Sequence, residues 1–191
     1  MQDILFNFLS KYISLTEAEK NAIISLDIFH SFKKGTVLLK EGQRSIESYF
    51  VLRGCIRTYY VIDGEEKTTA FYTEMEGLTP PCVVNKTPSE YYVSCLEDNI
   101  LIISNSDMEV EVNSKFPRFE TVCRKLSEEL LAKERIDFDA FKTSSPEQRY
   151  LNLIQNRPDL IQRVPQHQLA SYLGIKPQSL SRLRARILEK K

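Results

Sequence analysis

The chain has 191 residues, 42% of them hydrophobic, and its 26 Lys and Arg balance its 26 Asp and Glu to a formal net charge of zero. That length can hold one large domain or two modest ones, each with a real core. No run approaches the ~20 apolar residues of a membrane helix, and the opening MQDILFNFLSKY lacks the basic region and long apolar stretch of a secretory leader, so a cytoplasmic protein is expected.

In chain order, Thr16 followed three residues later by Glu19 reads as a capping box opening a helix through Ala18, Ala22, Ile23 and Ile24. From Ser31 to Ile103 the pattern changes to short β-branched and aromatic runs, with turns expected near Gly35, Gly42, Gly54 and the pair Asp63, Gly64. Several strands at this spacing predict an antiparallel sandwich or barrel. Tyr49, Phe50, Tyr59, Tyr60, Phe71, Tyr72, Tyr91 and Tyr92 make it aromatic, as core packing or as the lining of a pocket for a flat ligand.

Helical character returns from Lys115 to Phe141, where Phe119, Val122, Leu126 and Leu130 recur at spacings of three and four. Such a stripe either pairs with a second copy as a coiled coil or packs back on its own barrel. A hinge is expected over Phe138 to Ser145. Ser145, Pro146 and Gln148 then supply an N-cap, a first-turn proline and a capping-box partner for a helix through Tyr150, Leu151, Leu153 and Ile154.

The stretch Gln166 to Leu188 carries the strongest pattern. Leu169, Ala170 and Leu173 make a short helix, Gly174 can turn the chain without a Cβ penalty, and Ile175 plugs the turn. Pro177 opens a second helix whose Leu180, Leu183 and Ile187 share one face. At about 100° per residue, Gln178, Arg182 and Ala185 fall opposite that face, with Ser179, Ser181 and Arg186 at its edges. An outward Gln and Arg among small residues suits the major groove, where Arg pairs bidentately with guanine and Gln with adenine. From Lys176 to Lys191 there are six basic residues against one acidic, as a phosphate backbone would require. The plainer alternative is a helical hairpin with a solvated charged face.

Chemistry of other kinds finds few residues. Cys55, Cys82, Cys95 and Cys123 lack CxxC spacing and read as buried thiols, with neither zinc nor an iron–sulfur cluster suggested. The two histidines, His30 and His167, lie in opposite halves, so the His and carboxylate cluster of a jelly-roll metalloenzyme is not expected; His30 should pack beside Phe29 and Phe32. No metal site and no enzymatic activity are predicted, since nucleophile-elbow and phosphate-loop motifs are also missing.

LASYLGI followed by PQSLSRLR resembles the C-terminal motif of the Crp/Fnr bacterial transcription regulators. The strand region resembles their cyclic-nucleotide-binding jelly roll, through Lys40, Glu41, Gly42 and through the Leu52, Arg53, Gly54 turn leading to Arg57. The resemblance implies an α+β chain: a jelly-roll sensor domain with N-terminal helices over 1–114, a connecting and dimerisation helix with hinge over 115–143, and a helix-turn-helix domain over 144–191. It implies a homodimer on near-palindromic double-stranded DNA, with RNA polymerase as a further partner. Gln178 and Arg182 would read base edges with Ser179 and Ser181 assisting, while Gln166, His167, Lys176, Arg184 and Arg186 would hold phosphates.

Family members that bind cyclic AMP use an Arg for its phosphate and a Gly-Glu-Leu signature for its ribose. Those positions fall here near Pro88 and on Gly77, Leu78 and Thr79, so both charged groups are missing and cyclic AMP bound in that manner is not expected. The effector is unknown. Arg57, Tyr59, Phe71, Gly77 and Lys86 are the candidate pocket residues, Arg57 and Lys86 being either anion ligands or solvated surface charges. Iron–sulfur sensing by an N-terminal cysteine cluster is not expected, because no cysteine precedes Cys55. The rival reading is a small-molecule sensor or scaffold whose C-terminal helices bind a protein partner.

Overall fold

The structure, a computed structural model, describes residues 1–189; Lys190 and Lys191, part of the basic terminus, lie outside the described residues. The chain begins with helices α1 (Gln2–Leu9) and α2 (Glu17–Ser25), followed by strands β1 (Phe29–Phe32), β2 (Val37–Leu39), β3 (Ser48–Arg53), β4 (Ile56–Ile62), β5 (Glu65–Tyr72) and β6 (Gly77–Leu78). A short α3 (Pro81–Asn85) precedes β7 (Tyr92–Cys95) and β8 (Asn99–Ser104). Helices complete the chain: α4 (Ser106–Lys115), α5 (Arg118–Thr143), α6 (Pro146–Asn156), α7 (Pro158–Arg163), α8 (Gln166–Tyr172) and α9 (Pro177–Glu189).

The strands form two four-stranded sheets, ordered β1-β8-β3-β6 and β2-β7-β4-β5. Antiparallel pairs join strands far apart in sequence, Phe29 opposite Ile102 and Tyr49 opposite Ile103, in the nested order of a jelly roll. The β4–β5 turn has positive φ at both Asp63 and Gly64, the conformation a two-residue hairpin demands. At Gly54, φ is +106° and an added Cβ would lie 2.4 Å from Asn99 Oδ1. Buried Asn99 must stay, because its Nδ2 donates to the carbonyls of Cys55 and Glu97 at 3.3 and 2.7 Å. This is the physical reason for a glycine after Leu52 and Arg53.

By compactness the chain divides into Met1–Thr58 with Phe71–Leu131, and Tyr59–Ala70 with Ala132–Lys191. In the first unit Leu5, Leu9, Ile23, Ile28, Leu52, Ile102, Phe119 and Val122 form one buried cluster, with Leu126 packed against it. The first turns of α5 therefore spend their apolar stripe on their own unit. Of the two readings of the stripe, packing back on its own unit holds for Phe119, Val122 and Leu126. The helix also continues through Phe138 to Thr143, leaving only Ser144 and the N-cap Ser145 before α6.

Both expected capping boxes are present, Thr16 with Glu19 and Ser145 with Gln148. Glu19 has a second task. Its buried carboxylate accepts from Arg118 Nε at 2.5 Å and from Nη2, tying α2 to the start of α5. The Arg118 guanidinium, helped by Thr16 against the opposing effect of burial, holds the Glu19 carboxyl at about 2, below the ordinary 4.5. A lowered folded-state pKa stabilises the fold above the unfolded value and is lost as pH falls. Thermal midpoints of the native protein should thus fall between pH 4.5 and 2. Glu19→Gln keeps a capping-box side chain and should lower stability at neutral pH while flattening that acid limb; an equally steep limb in the variant would show that the pair carries no linkage.

Candidate nucleic-acid interface

The end of α8 is a complete Schellman turn. Ile175 N–H donates to the Ala170 carbonyl at 3.0 Å, Gly174 N–H donates to Ser171 at 3.0 Å, and Gly174 holds φ at +72°. Pro177 starts α9 directly afterwards, and the Lys176 carbonyl accepts from Ser179 and Leu180. Leu169, Ala170, Leu173, Leu180 and Leu183 are each buried, as are Tyr150 and Leu153 of α6, Leu160 and Val164. Leu180 has no exposed surface, so the opposite side of α9 must face outward.

Gln178, Ser179, Ser181 and Arg182 are all exposed, as are Gln166 and His167 at the start of α8 and Lys176 before α9. Arg184 is half-buried. A groove beside α9 gathers Ser179, Arg182 and Arg186 with Ser145, Pro146 and Glu147 from the start of α6. Arg186 donates from Nη2 to Glu147 at 2.5 Å. Sequence reasoning missed this partner: a Glu in a first turn is accounted for by the helix dipole alone and points to no residue 39 positions away.

Arg149 was also missed. It donates from Nε to the Phe141 carbonyl at 3.0 Å and from Nη1 to the Leu173 carbonyl at 3.1 Å, with its guanidinium carbon 3.8 Å from the centre of the Phe141 ring. One side chain thus joins the last turns of α5, α6 and the end of α8. A planar fork on an aromatic face has no lysine equivalent.

In the jelly roll, Arg57 is 4% exposed, which overturns its reading as a solvated surface charge. Arg57 and Tyr59, two apart on β4, point to one face, and Tyr59 and Phe71 are buried. Gly77 is half-buried in β6, while Lys86 is exposed at the left-handed C-cap of α3, its carbonyl accepting from Arg44. Tyr49 and Tyr91 are buried as core. The rings of His30 and Phe32 lie 6.4 Å apart. Among the described residues no group of three His, Cys, Asp or Glu is placed to hold a metal, and no helix is long and apolar enough to cross a membrane.

No protein-family model matches the chain, and no curated protein does. Solved structures do. CLP, a c-di-GMP-responsive global regulator of Xanthomonas campestris, is 14% identical with a TM-score of 0.66 over 92% of this chain and 93% of its own. A chain assigned to the Crp/Fnr family from Eubacterium rectale is 18% identical with a TM-score of 0.66 over 92% and 85%. FixK2 of Bradyrhizobium japonicum is 13% identical with a TM-score of 0.64 over 85% and 84%. The chain has the Crp/Fnr regulator fold. In this chain α8, the turn at Gly174 and α9 form a helix-turn-helix, and α5 is its longest helix among the described residues.

Arg149→Lys should lower the stability of the C-terminal helices by about 1–2 kcal/mol through the lost fork and stacking. Urea unfolding followed by amide exchange in α8 would register it, and an unchanged midpoint would show that Arg149 clamps nothing.

Proposed function

We propose that this chain is a sequence-specific, DNA-binding transcription regulator of Crp/Fnr type that acts as a homodimer. The observation that carries the reading is the disposition of α9: Leu180 and Leu183 are sealed inside while Gln178, Ser179, Ser181 and Arg182 stand open to solvent. An amide and a guanidinium one turn apart on an exposed helix face match the donor and acceptor pattern of base edges in the major groove. Gln166, His167, Lys176, Arg184 and Arg186 flank that face as phosphate ligands. In this reading residues 1–114 sense, 115–143 connect and pair, and 144–191 read DNA.

The pairing face is the side of α5 left open. Leu131 is 73% exposed and Phe138 50%, and seven residues apart they share one stripe. Cys123 is the exposed cysteine of the four. Buried Arg57 and Phe71, in the first compact unit, are the part of the jelly roll suited to sense a ligand.

Selection of duplexes from a random pool should return a two-fold consensus. On that consensus Arg182→Ala should cost about 1–3 kcal/mol and relax preference at one base pair; an equal loss on scrambled DNA would overturn base reading, and binding indifferent to salt would favour a protein partner. Arg186→Ala should weaken all sequences and reduce the salt slope by about one unit, whereas an unchanged slope would remove it from the phosphate set. A short bis-maleimide should cross-link two native chains through Cys123, and Leu131→Asp with Phe138→Asp should abolish the product. Persistence of the product in that variant would place the seam elsewhere.

A further inference from the structure

Residues 59–70 of the β4–β5 hairpin belong to the same compact unit as the C-terminal helices. Because β5 is the last strand of its sheet, one row of its backbone groups has no neighbouring strand to pair with. Ser171, in the last turn of α8, meets that row. Its hydroxyl accepts from Thr68 N–H at 2.9 Å and donates to the Glu66 carbonyl at 3.0 Å. A single side chain so satisfies one donor and one acceptor two residues apart on an open sheet edge, and Thr68 is 5% exposed beneath it.

The hairpin tip reads Asp63, Gly64, Glu65, Glu66, all exposed, so it presents three carboxylates. Glu65 pairs with Lys67, and its carboxyl is held below the usual range first by Lys67 and additionally by Lys176. Lys176 lies between α8 and α9 and belongs to the phosphate set assigned above. Ser171 and Lys176 bracket the turn of the helix-turn-helix. Held at Glu66 and Thr68 by Ser171, the hairpin places its carboxylates beside the turn that ends at Lys176, the cation that a duplex phosphate would use.

Resting on the DNA-binding reading, we propose that the acidic β4–β5 hairpin is an intramolecular competitor for the duplex: hung on Ser171, it sets Glu65 against Lys176 and lowers DNA affinity until the contact is released. Apparent affinity then scales with the released fraction. The hairpin strands run directly into residues 56–58 and 71–72 of the jelly roll, among them Arg57 and Phe71, so ligand-induced movement there has a covalent route to the hairpin.

The test uses the full chain. Ser171→Ala keeps a good helix former in α8, and Glu65→Gln removes one charge without changing length. Exchange of the Thr68 amide should quicken in Ser171→Ala without DNA, and both variants should bind the selected duplex roughly 3–5-fold tighter than wild type. Glu90→Gln, which removes an exposed carboxylate of the other compact unit, should stay within about twofold. Unchanged or weaker binding by the hairpin variants, unchanged exchange at Thr68, or an equal gain from Glu90→Gln would overturn the competitor while leaving DNA binding intact. Failure of wild type and all variants to bind any duplex would overturn the DNA-binding reading, and the competitor with it.

Discussion

A helix can offer chemistry on one side only if its other side is held. In this chain the fixed point is Leu180, which has no exposed surface and is buried with Leu173, Leu169 and Leu183. Rotating α9 by one residue, about 100°, would drive Ser181 or Ser179 into that apolar contact and bring leucine to the surface. Burial of a leucine side chain is worth roughly 1.5–3 kcal/mol, so the register that points Gln178 and Arg182 outward is strongly preferred. The Schellman turn at Gly174 sets where α9 begins, and Arg149 ties that turn to α5 and α6. The proposed reading face is therefore a consequence of core packing in its own unit.

That dependence explains why the face was legible in the sequence. Hydrophobic period, a glycine and a proline each report a local requirement, and all three agree over Leu169 to Ile187. The capping boxes at Thr16 and Ser145 and the Asp63–Gly64 hairpin were legible for the same reason. Less legible were partners brought together from a distance: Arg118 with Glu19, Arg186 with Glu147, and Ser171 with the edge of β5. Charged residues at surface positions look alike in a sequence whether or not they meet. The α5 stripe shows the same limit. Phe119, Val122 and Leu126 have the spacing of a seam, but period cannot tell a second copy from the chain's own core, and here the core takes them.

Arg57 makes the complementary point inside the jelly roll. A strand alternates faces, and a single arginine among aromatic neighbours could point either way until both sheets are in place. With β4 flanked by β7 and β5, its first four residues are buried on both faces, Arg57 among them. Burying a guanidinium is costly unless it is well engaged, so Arg57 in a strand of Ile, Thr and Tyr has to be held by partners inside the domain.

Charge distribution connects these observations. A chain of zero net charge must draw its basic surface from local excess, and the segment from Lys176 onward has six cations to one anion. Yet Arg186 engages Glu147. Exposed ion pairs contribute only about 0–1 kcal/mol, so exchanging a carboxylate for a phosphate is cheap for the protein. Such exchange still changes the character of binding. A cation already neutralised by its own chain gains less from a phosphate than a free one, which tempers nonspecific affinity. In the proposed complex, base contacts by Gln178 and Arg182 would then carry a larger share of the whole, and discrimination would improve without any addition to the reading face.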